Sequence, residues 1–122
     1  MAGEAILVVD DNPANQKLVR VILAGEGYIV RTAFNAEEAL ACLESFTPRM
    51  ILMDIQLPGM DGLELTRRLK ANPKTKSILI IALTAYAMKG DDQKAFAAGC
   101  DGYITKPLDP DTLPKQLEVY LS

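Results

Sequence analysis

The sequence predicts an α/β protein with a doubly wound, five-stranded parallel sheet and five helices, on the strength of three observations. Short apolar runs alternate with amphipathic segments along all 122 residues. Three of the runs are continuously apolar, which is typical of strands buried on both faces of a parallel sheet. No internal repeat, linker or low-complexity tract interrupts the alternation, and the length is close to the commonest domain size. One domain over residues 1–122 is therefore expected.

The strands are predicted from short runs of mostly apolar residues. In chain order they are Ala5–Val9, Tyr28–Thr32, Met50–Met53, Ile78–Leu83 and Gly102–Thr105. The first, third and fourth runs are continuously apolar, so we expect these strands at the centre of the sheet. The second and fifth runs mix polar with apolar residues, so these strands are expected at the edges. The resulting strand order, 2-1-3-4-5, is the flavodoxin-like arrangement.

The first three helices are predicted from apolar residues at helical spacing. These residues are Leu18, Val19, Ile22 and Leu23, then Ala36, Ala39, Leu40 and Leu43, and then Leu63, Leu65 and Leu69. Gly25 and Gly27 are expected to end the first helix, because glycine readily adopts the conformation that closes a helix. The second helix is expected to stop before Pro48 and the third near Pro73, because proline cannot continue a helix.

The last two helices carry recognisable start signals. Asp91 or Asp92 is expected to cap the fourth helix, which Gly99 would close. Asp109 and Pro110 form a good pair of N-cap and first helical residue for the fifth. The apolar residues are Ala95, Phe96 and Ala97 in the fourth helix and Leu113, Leu117, Tyr120 and Leu121 in the fifth.

Composition excludes several classes of function. The formal net charge is −3 and the isoelectric point is near 4.9, so the chain lacks the basic footprint of a nucleic-acid-binding protein. Its longest apolar run, Ile78–Leu83, is too short to span a bilayer, and the N-terminus lacks the features of a signal peptide. We therefore expect a cytoplasmic protein that binds neither nucleic acid nor membrane. Its two cysteines, Cys42 and Cys100, are expected to stay reduced.

Polar residues follow the first, third, fourth and fifth predicted strands. They are Asp10 and Asp11, Asp54, Thr84 and Lys106. Because ligands of such sheets bind beyond the carboxyl ends of the strands, we expect these side chains to form one site. The three carboxylates would repel one another without a cation, and the chain contains no histidine. Oxygen ligands of this kind suit Mg²⁺ better than zinc or copper.

The same residues suit phosphoryl transfer. Lys106 supplies a fixed positive charge and Thr84 a hydroxyl donor, and both stabilise a phosphoryl group. A carboxylate such as Asp54 can accept that group as an acyl phosphate, with Mg²⁺ offsetting the repulsion between the two anions. The sequence therefore predicts Asp54 as a nucleophile.

The chain resembles the receiver domains of bacterial two-component response regulators, of the single-domain type related to chemotaxis regulators. The resemblance covers the whole chain and rests on "VVDDN" (8–12), "LMDIQLPGMDG" (52–62), "ALTAY" (82–86) and "GYITKP" (102–107). It implies that Asp54 is the phosphoacceptor and that Asp11, Asp54 and the backbone carbonyl of Gln56 bind Mg²⁺ directly. Asp10 would act mainly through a bound water.

The resemblance also implies roles for residues around the acceptor. Lys106 would pair with the phosphoryl group, while Thr84 and Tyr103 would form a coupled switch. Gln56 and Tyr86 would flank the path of the hydrolytic water and so modulate the lifetime of the phosphorylated state. The donor would be a histidine kinase or a histidine phosphotransfer protein. If the chain is a complete protein that ends after the fifth helix, output is expected through a partner protein that binds the face of helix 4, strand 5 and helix 5.

Three other classes of protein have related chemistry or folds. A haloacid-dehalogenase-like phosphatase also uses an aspartate nucleophile and magnesium, but needs a second aspartate two residues later, where this chain has Gln56. A flavodoxin-like electron carrier would need a glycine- and hydroxyl-rich loop after the first strand, where the chain reads "DDNPAN". A P-loop phosphate-binding protein would need the motif GxxxxGK[ST], which is absent from the sequence. We expect no enzymatic activity beyond the protein's own phosphorylation and dephosphorylation.

Overall fold

Strands and helices alternate along residues 3–55, 62–84, 91–105 and 109–121, which are the parts of the chain that the computed structural model describes. The strands are β1 (Ala5–Val9), β2 (Ile29–Ala33), β3 (Met50–Asp54), β4 (Leu79–Thr84) and β5 (Gly102–Thr105). The helices are α1 (Pro13–Gly25), α2 (Ala36–Leu43), α3 (Gly62–Ala71), α4 (Asp91–Ala98) and α5 (Leu113–Leu121). No described helix has the length and apolar content needed to cross a membrane.

The five strands form one parallel sheet in the order β2-β1-β3-β4-β5, which confirms the predicted order. All residues of β3 are buried, whereas β2 alternates between exposed and partly buried positions before it ends at the buried Ala33. The continuously apolar runs therefore occupy the centre of the sheet, because only central strands are covered on both faces.

The helices cover the two faces of the sheet and form two separate cores. On one face, alternate residues such as Leu7 and Val9 pack with α2, α3 and α4. On the other face, Ile6 and Val8 pack with α1 and α5. Because side chains of a strand point to opposite faces in turn, one apolar run supplies both cores.

Several predicted strand boundaries are wrong by one residue each, for reasons of hydrogen bonding. Tyr28 lies before β2, because its N–H donates to the carbonyl of Leu23 and completes the turn after α1. Ile78 likewise precedes β4, since its N–H donates to the carbonyl of Thr75. At the end of β3, Asp54 extends the strand and pairs with Leu83.

Two helix starts also differ from prediction. The helix α4 already includes Asp91 and Asp92, so neither residue occupies the cap position that was expected of one of them. The helix α5 begins at Leu113 rather than directly after Asp109, because residues 110–112 form a turn first. Asp109 holds that turn: its Oδ1 accepts from the N–H of Asp111 at 2.8 Å and its carbonyl accepts from Leu113 at 2.9 Å. Gly99 closes α4 as predicted, with φ at +110°, a region that favours glycine.

Candidate functional site

The sheet brings three aspartates together at its carboxyl edge. One carboxylate oxygen from each of Asp10, Asp11 and Asp54 lies within 4.8 Å of the other two. The register explains the meeting, because Val9 pairs with Met53, and Asp10 and Asp54 follow these residues. Adjacent parallel strands that end at the same level necessarily bring the next side chains close together.

The cluster is mostly buried. Asp10 is fully buried and Asp54 is only 5% exposed, whereas Asp11 reaches solvent. Burial of ionised carboxylates is costly unless a cation or hydrogen bonds compensate it. One such bond is present, since Asp10 Oδ1 accepts from the N–H of Asn12 at 2.9 Å. Three carboxylates with one side open to solvent form a donor set of hard oxygens that fits Mg²⁺.

The first helix begins directly beside the aspartates. Asn12 is its N-cap, and the Asn12 side chain accepts from the N–H groups of Ala14 and Asn15 at 2.9 and 3.3 Å. Pro13 occupies the first turn of the helix. Proline has no N–H, and the N–H groups of the first turn have no partner within the helix, so no helical hydrogen bond is lost. The segment that follows β1 is thus anchored at both Asp10 and the start of α1.

Gln16 supports the same edge of the sheet from α1, a role that the sequence pattern did not predict. The side chain is 4% exposed, and its amide nitrogen donates to three backbone carbonyls. These belong to Val8, Asp10 and Ala33, at 3.3, 2.9 and 2.6 Å. Gln16 therefore ties the ends of β1 and β2 to the helix. The available signal was its spacing, because it shares the buried face of α1 with Val19 and Leu23.

Gly62 places the start of α3 directly against the strand that carries Asp54. Its N–H donates to the carbonyl of Ile55 at 3.3 Å. A Cβ at this position would overlap the carbonyl oxygen of Asp54 and would lie 2.7 Å from the Cα of Ile55. Only glycine permits the backbones to approach so closely.

The remaining predicted site residues are described in part or lie outside the described ranges. Thr84 is the last residue of β4 and pairs with Thr105 at the edge where Asp54 lies, but its side chain is not among those described. Tyr103 is partly buried on β5 and packs against the core on the α4 face. Gln56, Tyr86 and Lys106 lie outside the described residues.

The fold and this acidic site are those of a receiver domain. The family model described as "Response regulator receiver domain" matches residues 6–118, and the chain belongs to this family. Its function is therefore that of a receiver domain in a two-component signalling system. The resemblance predicted from the sequence motifs is confirmed.

Named relatives agree with this family. The polar-differentiation response regulator DivK from Brucella anthropi is 39% identical over 118 residues, covering 97% of this chain and 96% of that protein. The chemotaxis response regulator CheY4 of Vibrio cholerae has a TM-score of 0.91 at 30% identity, covering 97% of this chain and 98% of that one. The receiver domain of the sensor histidine kinase PA1611 from Pseudomonas aeruginosa PAO1 has a TM-score of 0.88 at 36% identity, covering 98% of each chain.

The last of these structures bears on the metal. It has a magnesium ion coordinated in the active site cleft of that receiver domain. Receiver domains bind Mg²⁺ at an acidic site, and in this chain Asp10, Asp11 and Asp54 form such a site. Receiver domains also interact with histidine kinases or phosphotransfer proteins, so the general class of partner follows from the family.

Proposed function

We propose that this receiver domain takes a phosphoryl group onto Asp54 from a phosphohistidine of a kinase or phosphotransfer protein. In this step an Asp54 oxygen attacks phosphorus, an acyl phosphate bond forms, and the phosphorus–nitrogen bond to the donor histidine breaks. The observation that carries the proposal is the burial of Asp54 within 4.8 Å of two other carboxylates at the end of β3. Since residues 1–122 contain no histidine, the phosphohistidine must lie outside them.

For the metal, we propose the ligands that the resemblance to receiver domains implies. Asp11, Asp54 and the backbone carbonyl of Gln56 would hold Mg²⁺, and Asp10 would act mainly through a water. The bound ion would offset the negative charges of the acceptor and the incoming phosphate. The hydrogen bond from Asn12 N–H to Asp10 keeps one of these carboxylates oriented in the absence of metal.

The neighbouring strands supply the other proposed roles. Thr105 pairs with Thr84 at the carboxyl edge, and Lys106 is the next residue in the chain. Lys106 would pair with the phosphoryl group, and Thr84 would donate its hydroxyl to it. Tyr103, partly buried on β5, would turn inward when Thr84 moves. The face of α4, β5 and α5 would then change shape and bind a downstream protein.

We further propose that residues 1–122 act as one cytoplasmic signalling domain. No enzymatic activity is expected beyond its own phosphorylation and dephosphorylation, because position 56 is glutamine where the related phosphatases need an acid. Gln56 and Tyr86 would flank the approach of the hydrolytic water. The bulk of Tyr86, which has no carboxylate to orient a water, would prolong the phosphorylated state.

Phosphotransfer from a purified cognate kinase tests the proposal. The wild-type chain should acquire an acid-stable, base-labile label, and Asp54→Asn should abolish it. The matched control is Asp111→Asn, the same chemical change at an exposed turn residue far along the chain, which should be labelled like the wild type. Persistent labelling of Asp54→Asn would place the acceptor elsewhere. Turnover of an aryl phosphate monoester would instead support the phosphatase alternative.

A further inference from the structure

A small cationic cavity lies between α1 and the edge strand β2. Its volume is about 230 Å³, and its lining residues are Pro13, Gln16, Lys17, Arg20, Thr32 and Phe34. Lys17 and Arg20 are exposed and three residues apart on α1, so they lie on the same side of the helix. Neither forms an ion pair with any residue that the structure describes. Two uncompensated cations therefore border one cavity in a chain of net charge −3.

Gln16, one of the lining residues, is fixed in place by hydrogen bonds from its side chain. The amide nitrogen of Gln16 is fully used by the carbonyls of Val8, Asp10 and Ala33. Its Oε1 is buried and accepts from no donor among the described residues. Phe34, 41% exposed, adds an apolar surface at the same place.

The open edge of the sheet runs along this cavity. β2 pairs with β1 only, and its other edge is unpaired within the described sheet. Ile29 N–H donates to Glu4 and Asp10 N–H donates to Ala33, so alternate residues from Ile29 to Ala33 face β1. The N–H and C=O groups of Val30 and Thr32 consequently face outward. Thr32 also lines the cavity, so a polypeptide bound along β2 would pass Lys17 and Arg20.

We propose that this edge binds an extended acidic segment of a partner protein, which adds to the sheet as a further strand beside β2. The outward groups of Val30 and Thr32 supply the main-chain hydrogen bonds. Glutamate or aspartate side chains at alternate positions of the segment face α1 and pair with Lys17 and Arg20. Because alternate side chains of a strand share one face, the segment requires acids at every second residue on that side.

This binding is separate from the proposed phosphotransfer and from the face of α4, β5 and α5. It would nevertheless bring the partner close to the aspartates, because Gln16 contacts both the cavity and the carbonyl of Asp10. The opposing interpretation is that basic residues at this edge only prevent unwanted strand pairing, as charged residues often do. That interpretation predicts no specific binding of any acidic strand.

The test uses the whole chain and a fluorescein-labelled short peptide that alternates valine and glutamate, titrated by fluorescence anisotropy at low salt. The wild type should bind it, and the double variant Lys17→Glu/Arg20→Glu should bind about tenfold or more weakly, since close charge pairs are lost and reversed. The control is Lys74→Glu/Lys76→Glu, which changes the net charge equally in the loop before β4 and should bind like the wild type. Circular dichroism of both double variants verifies that they fold.

A second peptide separates strand addition from simple charge attraction. Methylation of alternate backbone nitrogens, on the edge that would face β2, keeps the charges but removes the main-chain donors, so binding should be lost. In NMR spectra, the unmodified peptide should shift and protect the amide protons of Val30 and Thr32. Equal binding of the methylated peptide, equal weakening by the control variant, or no binding at all would each overturn the proposal. None of these measurements requires phosphorylation, so the result is independent of Asp54.

Discussion

Among single residues, Gly62 links the packing of α3 most directly to β3, the strand that carries Asp54. A Cβ at position 62 would meet backbone atoms of Asp54 and Ile55, which cannot rotate away as a side chain could. Any side chain at position 62 would therefore displace either the start of α3 or the strand end that carries Asp54. This close approach makes the glycine a structural requirement of the site.

Gly62→Ala is expected to lower the free energy of unfolding by about 1–3 kcal/mol, a typical cost of overpacking. The rate of phosphotransfer to Asp54 should fall as well, because the strand end shifts. Gly25→Ala is the matched control: nothing lies within 4 Å of its Cβ and its φ is not positive, so stability should change by less than about 1 kcal/mol. Urea titration of both variants measures the difference. Equal stability of the two variants would contradict the argument.

Tyr28 gives a second residue-level prediction, on alkaline stability. Burial raises the pKa of Tyr28 above its ordinary value of 10.0, and the carboxylates of Glu118, Glu4 and Glu26 raise it further. As pH rises past 10.0, the unfolded chain loses this proton before the folded one. The folded state then binds more protons, so the free energy of unfolding falls with pH until the folded pKa is passed.

Tyr28→Phe removes this titration. Between about pH 9 and about pH 11, the variant should therefore lose less stability than the wild type. Urea midpoints at several pH values measure how the stability of each protein changes with pH. The value at the lower pH serves as the reference for each protein. If stability fell equally with pH in the two proteins, Tyr28 would have the same pKa in the folded and unfolded states, which would contradict the prediction.

At the scale of elements, Lys70 joins α3 to the starts of β4 and β5. Its ammonium group donates to the carbonyls of Lys76 and Ile78 at 3.1 and 2.8 Å and to Asp101 Oδ2 at 2.8 Å. The same Asp101 oxygen accepts from the N–H of Ile80 at 2.9 Å. One side chain thus connects the end of a helix, the following loop and the loop before β5.

Lys70→Met keeps the length of the side chain but removes all three hydrogen bonds. We expect a loss of about 1–3 kcal/mol in the free energy of unfolding, because the Lys70 side chain is only 20% exposed and its partners lose a shared donor. Arg67→Met on the same helix breaks only an exposed pair with Glu64 and should cost less than about 0.5 kcal/mol. Chemical denaturation at neutral pH compares the two. A cost for Lys70→Met as small as that for Arg67→Met would refute the linking role.

At the scale of the whole molecule, the aspartate cluster couples metal binding to folding. The chain has net charge −3, and three of its carboxylates meet within 4.8 Å only after β1 and β3 have paired. The unfolded chain has no such cluster. Mg²⁺ should therefore bind the folded state in preference and stabilise it by mass action.

At a magnesium concentration ten times the dissociation constant, stabilisation should be about 1.4 kcal/mol, or roughly 3–8 °C in Tm. Differential scanning calorimetry with magnesium chloride measures the shift. Sodium chloride at equal ionic strength is the control, because it screens the carboxylates without occupying the site. Asp11→Asn should reduce the magnesium response, and an unchanged response would mean that the ion binds elsewhere.

Much of the fold was predictable because its signals are local. Continuous apolar runs at Ala5–Val9 and Met50–Met53 predicted buried central strands, and both are central in the sheet. Boundaries were less predictable because they depend on hydrogen bonds between distant groups. Tyr28 has the residue type of a strand, but its N–H bonds to Leu23 and so leaves it in a turn. At Asp109 the expected cap is present, but it holds a turn before α5 instead of the helix itself.

Local patterns in the sequence were enough to predict the alternation of strands and helices and the order of the strands in the sheet. They also predicted that acidic residues stand at the ends of the first and third strands. These features depend on patterns over a few neighbouring residues, and such patterns are present in the sequence before any tertiary contact forms. In contrast, the three aspartates come together only in the tertiary structure, where one carboxylate oxygen from each of Asp10, Asp11 and Asp54 lies within 4.8 Å of the other two. The burial of Gln16 and the close approach of Gly62 to the strand that carries Asp54 depend on tertiary structure in the same way. These features arise from contacts between distant segments, whose geometry no local pattern encodes.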